Sequence, residues 1–249
     1  MTRSWQRPTA ISRPLAISPS LLAVVQNVLS MAWRVLMDEV QVGAFSLCSA
    51  TEDEITERLQ FILGDLHAAD DAPDLGFLLF ETPVREGNLR NYNGESLDRQ
   101  PDLAFRPLRG HIKTTNSVPA AIFVECKPID SAHPVKGTYC RAGLIRFVKG
   151  DYSWAVDRAL MVGYVRNICQ LPGGLSTCFD DISLVSELHL GGALEALPST
   201  VFGDAVCQSK HDRFFLLEGG SSAAGVIAVH HLWFHPEKPC ESTRCRGVT

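Results

Sequence analysis

The order of apolar and polar positions along the chain predicts two helices in its first third. Residues 21–40 are mostly apolar over nearly twenty positions, but polar and charged side chains interrupt them, which is typical of a buried helix rather than a membrane span. Residues 51–66 place apolar side chains on one helical face, and Thr51 and Glu54 at its start have the spacing of a capping box. Both helices are therefore expected to pack against a core.

Short apolar runs rich in β-branched residues predict the strands of a sheet. A helix is predicted for residues 138–149, between two of these strands, and another for residues 182–190. Strand, helix and strand in this order are typical of an α/β fold. The predicted strands cover residues 75–80, 103–105, 121–124, 159–165, 214–217 and 225–234, the last two joined at Gly219 and Gly220.

Length and composition indicate one domain. The chain has 249 residues and a hydrophobic content of 45%, which is sufficient for a single core. Residues 1–20 are polar, contain prolines and lack periodicity, so they are predicted to form a loosely ordered arm. Residues 21–249 are predicted to form a single α/β domain.

Charged side chains stand at the end of one predicted β-hairpin, formed by residues 103–105 and 121–124. Asp102 opens the first strand, and Glu125 and Lys127 follow the second. Residues two apart on a strand project from the same face, so the Glu125 carboxylate and the Lys127 ammonium emerge side by side. Pairing of the two strands is expected to bring Asp102 close to Glu125.

Two carboxylates beside a lysine have a structural and a functional interpretation. In the first, the residues form an ion pair at a strand end, and Asp102 caps a Pro-Asp turn. In the second, both carboxylates and a main-chain carbonyl form a hard, oxygen-only site for Mg²⁺, and the lysine orients or deprotonates a water. The residue types alone are compatible with both.

An aspartate followed, after about twenty residues, by Glu-x-Lys resembles the motif of the PD-(D/E)xK nuclease superfamily. Here the motif reads Pro101-Asp102 and Glu125-Cys126-Lys127. In that family the motif hairpin follows a helix that often carries an acidic residue, and it precedes a helix and a further strand. The same order is predicted for residues 51–165.

The resemblance implies a restriction-endonuclease-like fold, in which helices flank a mixed central sheet, here with an N-terminal helix and C-terminal strands as extensions. It implies that Asp102 and Glu125 hold Mg²⁺ or Mn²⁺ together with the main-chain carbonyl of Cys126, while Lys127 positions the attacking water. Glu54 would be an accessory metal residue, although the capping box explains it equally well. The implied activity is hydrolysis of phosphodiester bonds in nucleic acid, with DNA as the favoured substrate.

The distribution of charge bears on the same hypothesis. The net charge is -5, yet residues 106–149 contain eight lysines and arginines against two acidic residues. A basic segment on an acidic protein favours a phosphate-backbone ligand, although a solvated basic face is common. The candidate nucleic-acid-binding residues are Arg106, Arg109, Lys113, Arg141 and Arg146.

A second hypothesis keeps the nuclease fold without cleavage. The chain would then be a scaffold or binding subunit of a larger assembly, with a protein partner or a second copy of itself. No GxSxG, HExxH or GxxxxGK[ST] motif offers another catalytic set. The eight cysteines form no CxxC pair and no signal peptide is recognised, so an intracellular location, cytoplasmic or nuclear and without a membrane, is expected. His211, His230 and His231 are interpreted as hydrogen-bonded core residues.

Overall fold

Six strands form one mixed sheet. The computed structural model describes residues 13–69, 73–85, 91–92, 99–108, 121–166, 174–217 and 222–236. The strands are β1 (Leu103–Phe105), β2 (Ile122–Ile129), β3 (Arg158–Val165), β4 (Glu195–Leu197), β5 (Val206–His211) and β6 (Ile227–Phe234). They are arranged in the order β1-β2-β3-β6-β5-β4. Strands β2, β3 and β6 are parallel neighbours, whereas β1 and β2, β5 and β6, and β4 and β5 pair antiparallel.

Helices cover both faces of this sheet. The α-helices are α1 (Pro19–Gln41), α2 (Glu52–Ala69), α3 (Ile145–Lys149), α4 (Gly174–Phe179) and α5 (Ile182–Glu187). A π-helix (Val135–Leu144) runs directly into α3, and two short 3-10 helices span Pro73–Leu75 and Phe77–Leu79. Adjacent residues of β6 contact opposite layers, because His230 meets Gln26 of α1 and His231 meets Tyr139 of the π-helix. The predicted mixed sheet flanked by helices is confirmed.

Helix α1 is the buried helix that the sequence predicts. Pro19 is its first residue, and the Ser18 side chain accepts a hydrogen bond from the Ser20 amide at 3.3 Å. Trp33 stacks on Tyr164 and Phe234, with ring centroids 5.8 and 5.1 Å apart. By length and composition alone α1 would also be able to cross a membrane, but 61% of its apolar window is buried inside the protein.

Residues 13–18, the described part of the arm predicted over residues 1–20 that precedes α1, pack against the protein, and residues 1–12 lie outside the described residues. The Leu15 amide donates to the Ala155 carbonyl at 2.7 Å, and the Ile17 amide donates to the Asp157 carboxylate at 2.8 Å. Ile17 itself is buried in the core. Strand-like pairing next to β3 therefore anchors the chain before α1 begins.

Two predicted strands are wrong. Residues 75–80 form 3-10 turns, because Gly76 adopts a left-handed conformation and the turns direct Phe77 and Phe80 towards Phe105. Residues 214–217 make only an isolated bridge, from Leu216 to Ala223, and β5 pairs with β6 in their place. Gly219 and Gly220 lie outside the described residues.

Buried histidines form a hydrogen-bonded chain beneath the π-helix, as the sequence interpretation expects. His211 Nδ1 donates to the Leu188 carbonyl at 2.8 Å, so its Nε2 must accept from the Ser209 hydroxyl at 2.6 Å. Ser209 then accepts from Nε2 of His231 at 2.8 Å, which leaves Nδ1 to accept from the Tyr139 hydroxyl at 3.0 Å. Every link is satisfied by neutral rings, and burial lowers the pKa of both histidines.

The described cysteines differ in state. Cys126, Cys140, Cys178 and Cys207 are free thiols, whereas Cys48 is disulfide-bonded. The intracellular location expected from the sequence stays a prediction.

Candidate active site

The β1-β2 pair brings the three motif residues together. Leu103 pairs with Val124, so Asp102 lies beside Glu125 at the end of the ladder. The Asp102 carboxylate accepts a hydrogen bond from the Cys126 amide at 2.6 Å, which fixes the aspartate against β2. The carboxylates and the amine therefore converge as the two-residue alternation of the strand predicts.

The ammonium of Lys127 is the centre of this cluster. Its Nζ lies 2.5 Å from Glu52 Oε1, 3.0 Å from Glu125 Oε1 and 3.8 Å from Asp102 Oδ2. It also donates to the main-chain carbonyl of Cys126 at 2.9 Å. Only 6% of the lysine side chain is exposed, so these oxygens rather than water solvate its charge.

Glu125 is fully buried, and both of its oxygens accept hydrogen bonds. Oε1 receives Arg146 Nη1 at 2.9 Å in addition to Lys127, and Oε2 receives the hydroxyl of Tyr152. A carboxylate at this depth is tolerated because charged and polar donors replace its hydration shell.

Burial and neighbouring charges shift the protonation equilibria of the cluster. Burial, followed by the Asp102 charge, raises the pKa of Glu125 from 4.5 to about 7, against the opposing effect of two cations and a tyrosine hydroxyl. Burial lowers the pKa of Lys127, but the charges of the three carboxylates outweigh it and raise this pKa overall. The lysine is thus an ammonium at neutral pH and can donate hydrogen bonds but not take up a proton.

The acidic residue that α2 contributes is Glu52, not Glu54. Glu54 accepts from the Thr51 amide at 2.7 Å and from its hydroxyl, and it is exposed, so it forms the reciprocal cap and not a metal ligand of this cluster. Glu52 lies one turn before Thr56, which is buried and hydrogen-bonded to Tyr164. The helical periodicity of the sequence therefore indicates Glu52, because position 52 continues the buried face of α2.

The π-helix packs closely onto the cluster. A Cβ on Gly143 would lie 2.8 Å from Met161 Cε and 3.2 Å from Lys127 Cγ, so a larger residue would displace the end of the Met161 side chain and crowd Lys127. Sequence reasoning missed Gly143 and Tyr152, since neither belongs to a spacing pattern that predicts their contacts. A helix is confirmed over the predicted residues 138–149, but it begins at Val135 and is wound as a π-helix up to Leu144.

The described basic candidates in residues 106–149 do not line one continuous groove. Arg141 pairs with Glu187 at 2.8 Å, and Arg146 points into the cluster. Arg106 is exposed. Two of the five candidate nucleic-acid-binding residues, Arg109 and Lys113, lie outside the described residues.

Carboxylate and carbonyl oxygens, which are hard donors, surround the ammonium of Lys127. Within the described ranges, no three or more histidine, cysteine, aspartate or glutamate side chains have the geometry of a metal site. The Lys127 ammonium lies among the carboxylate oxygens of Glu52 and Glu125 and donates to the carbonyl of Cys126. The donor types fit Mg²⁺ or Mn²⁺, which prefer carboxylate and carbonyl oxygens, so a bound ion would share these oxygens with the cations of the cluster.

The raised pKa of Glu125 makes its contribution to stability fall as pH rises, whereas a carboxylate with a lowered pKa contributes more as pH rises. Its proton leaves the unfolded chain near pH 4.5 but stays in the folded protein up to about pH 7. Between these values the folded state binds more protons, so this carboxyl's contribution to the free energy of unfolding falls as pH rises, by on the order of 3 kcal/mol, and is constant above. Urea unfolding of the wild type and of Glu125→Gln across this range measures it. The variant should lack the fall, and parallel profiles would contradict the assignment.

Comparison of the chain with models of protein families, with curated proteins and with solved structures gives no match. A functional conclusion therefore depends on the chemistry of the cluster and on the order of elements around it.

Proposed function

We propose that this chain is a divalent-metal-dependent nuclease with a restriction-endonuclease-like arrangement, acting on phosphodiester bonds of nucleic acid, with DNA as the favoured substrate in the cytoplasm or nucleus. The observation that carries the proposal is the convergence of Glu52, Asp102 and Glu125 on Lys127. Asp102, Glu125 and Lys127 are the residues that match the PD-(D/E)xK motif, and Glu52 adds a carboxylate from the preceding helix.

The order of elements supports the same proposal. Helix α2, the antiparallel β1-β2 pair, the π-helix with α3, and the parallel strand β3 follow one another in the sequence expected from the resemblance. The acidic residue from the preceding helix is supplied by Glu52. Residues 51–165 thus contain every part of the proposed catalytic core.

The cluster is costly as a purely structural feature. Three carboxylates share one buried lysine, and burial raises the pKa of Glu52 as well as that of Glu125. Buried ion pairs contribute little net stability relative to apolar residues of the same volume, because desolvation offsets their attraction. An arrangement with more carboxylates than cations is easier to understand as a binding site for a cation.

Each residue has a defined task in this proposal. Asp102, Glu125 and the carbonyl of Cys126 would hold Mg²⁺ or Mn²⁺, and Glu52 would support them. The bound ion would supply an acidified water and neutralise charge on the phosphate. Lys127, which stays protonated at neutral pH, would orient the attacking water and donate to a phosphate oxygen.

A catalytically inactive scaffold is the second candidate, and one observation favours it. The ammonium of Lys127 already satisfies the oxygens of the cluster, so the protein can fold around it without a metal. A protein partner or a second copy of the chain would then replace the nucleic acid as the ligand. This candidate predicts no cleavage and no effect of divalent cations on stability.

A cleavage assay tests the proposal. Purified wild-type protein is incubated with Mg²⁺ or Mn²⁺ and with single- and double-stranded DNA and RNA, in parallel with Asp102→Ala and with EDTA. We expect divalent-metal-dependent products from at least one substrate and none from the variant. Absence of products from every substrate, or equal products from Asp102→Ala, would contradict the nuclease function.

A further inference from the structure

Arg146 is the most exposed of the groups that hold Glu125. Its side chain is 36% exposed, compared with 6% for Lys127, and Tyr152 is buried. Lys127 is also tied to Glu52 and to a main-chain carbonyl. Arg146 is therefore the partner that can leave Glu125 by rotation of its own side chain, without movement of the sheet.

The charges of the cluster support such a departure. When all three carboxyls are ionised, the carboxylates of Glu52, Asp102 and Glu125 face the two cations Lys127 and Arg146, which leaves one net negative charge. Adding a divalent ion to the intact set would leave one positive charge in a largely buried site. If the ion instead replaces Arg146, the charges of the three carboxylates, Lys127 and the ion sum to zero. A neutral set of charges is the least costly to bury in a medium of low dielectric.

We infer that Arg146 is an exchangeable internal cation, released from Glu125 when a divalent ion binds and then available to a phosphate of the nucleic acid. The inference rests on the proposed nuclease function and names the residue that connects ion binding with substrate binding. The planar guanidinium matches two phosphate oxygens, as it matches a carboxylate. Ion binding should therefore increase affinity for nucleic acid, within the roughly 5- to 150-fold range of coupling between two sites.

Two measurements on four proteins test this inference. Thermal unfolding with increasing Mg²⁺ gives the affinity for the ion, and fluorescence anisotropy of a labelled DNA duplex, with and without Ca²⁺, gives affinity for nucleic acid. Ca²⁺ serves because it takes the same oxygen ligands with less demanding geometry. The proteins are the wild type, Arg146→Ala, Arg146→Lys and the control Arg58→Ala. Arg58 is 37% exposed and also paired with a glutamate, Glu39, but lies outside the cluster.

Arg146→Ala should bind Mg²⁺ more tightly than the wild type, by about tenfold or more, because no cation has to be displaced. It should also lose the gain in DNA affinity that Ca²⁺ gives the wild type, and the slope of log K against log salt should fall by about one. Arg146→Lys should keep the wild-type Mg²⁺ affinity and recover only part of the DNA affinity. Arg58→Ala should match the wild type in both assays.

The outcomes separate this inference from the function on which it rests. A wild type that cleaves DNA, together with an Arg146→Ala variant equal to Arg58→Ala in Mg²⁺ and DNA affinity, overturns the role of Arg146 alone. Weaker Mg²⁺ binding by Arg146→Ala also overturns it, because a residue that only supports the ligands would give that result. A wild type that neither binds nor cleaves any nucleic acid overturns both.

Discussion

Replacement of Lys127 by methionine is expected to abolish measurable cleavage and to destabilise the metal-free protein strongly. Loss of the amine that orients water and donates to the phosphate should lower the cleavage rate by about 1,000-fold or more. Without the ammonium, Arg146 is the one cation of the cluster left to face the carboxylates of Glu52, Asp102 and Glu125, at a cost of about 3–5 kcal/mol. Mg²⁺ should recover most of this stability, because the bound ion supplies the positive charge that the carboxylates have lost.

The matched control for this experiment is Lys210→Met. Lys210 also lies on a strand and also pairs with a glutamate, Glu195, but both side chains are about half exposed. An exposed ion pair contributes about 0–1 kcal/mol, so this variant should unfold and cleave as the wild type does, with or without Mg²⁺. A Lys127→Met protein that is destabilised but gains no stability from Mg²⁺ would identify the cluster as a structural ion pair.

Replacement of Arg213 is expected to have the largest effect on folding outside the cluster. The side chain is 1% exposed, and burial lowers its pKa only to about 10, so it remains charged at neutral pH. Its guanidinium donates to main-chain carbonyls in two separate loops, those of Ser153, Trp154, Val156, Ala224 and Gly225, at 3.1–3.5 Å. The loop next to Ser153 also carries Tyr152, which holds Glu125.

Arg213→Ala leaves several buried carbonyls without donors, and each unsatisfied group costs about 1–3 kcal/mol. We expect a total loss of at least about 3 kcal/mol, or roughly 6–12 °C in the midpoint of thermal unfolding. Arg213→Lys should be nearly as unstable, because an ammonium cannot reach both loops with a planar fork. Arg85→Ala, which removes an exposed pair with Asp53, is the control and should change stability by less than about 1 kcal/mol. Similar unfolding of the two alanine variants would contradict this account of Arg213.

Local patterns predicted the parts of the fold in which burial follows the sequence period. Strands β2 and β3 are buried on both faces between helices, so their apolar runs identify them directly. The capping box at Thr51 and the apolar stripe after it predicted α2, and the alternation of Glu125 and Lys127 predicted that they share a face. These features depend on neighbours within a few residues.

The strand predictions were wrong for segments whose structure depends on tertiary contacts. Phe214 and Leu216 form an apolar run, yet they are 69% and 55% exposed, so their hydrophobicity does not indicate a strand. Strand β5 was missed because its buried face carries Ser209 and His211, whose polar groups are satisfied by a hydrogen-bonded chain across the sheet. The hydrogen-bond partners of Ser209 and His211 include His231 and Leu188, which are about twenty residues away in the sequence.

The same distinction holds within the cluster. Asp102, Glu125 and Lys127 were found by motif spacing, because one β-hairpin determines their positions. The sequence identifies Arg146 only as a basic residue, because its contact with Glu125 depends on how α3 packs on the sheet. Tyr152 reaches the same carboxylate from a loop, which no local pattern indicates.

The affinity of the wild-type protein for Mg²⁺ tests the central claim most directly. Thermal unfolding is followed as Mg²⁺ is increased, at a pH above the raised pKa of Glu125, so that this carboxylate is ionised. The account predicts a saturable rise in the unfolding midpoint for the wild type that is lost in Asp102→Asn and in Glu125→Gln. An unfolding midpoint of the wild type that is unaffected by Mg²⁺, with all variants of the cluster simply less stable, would contradict it.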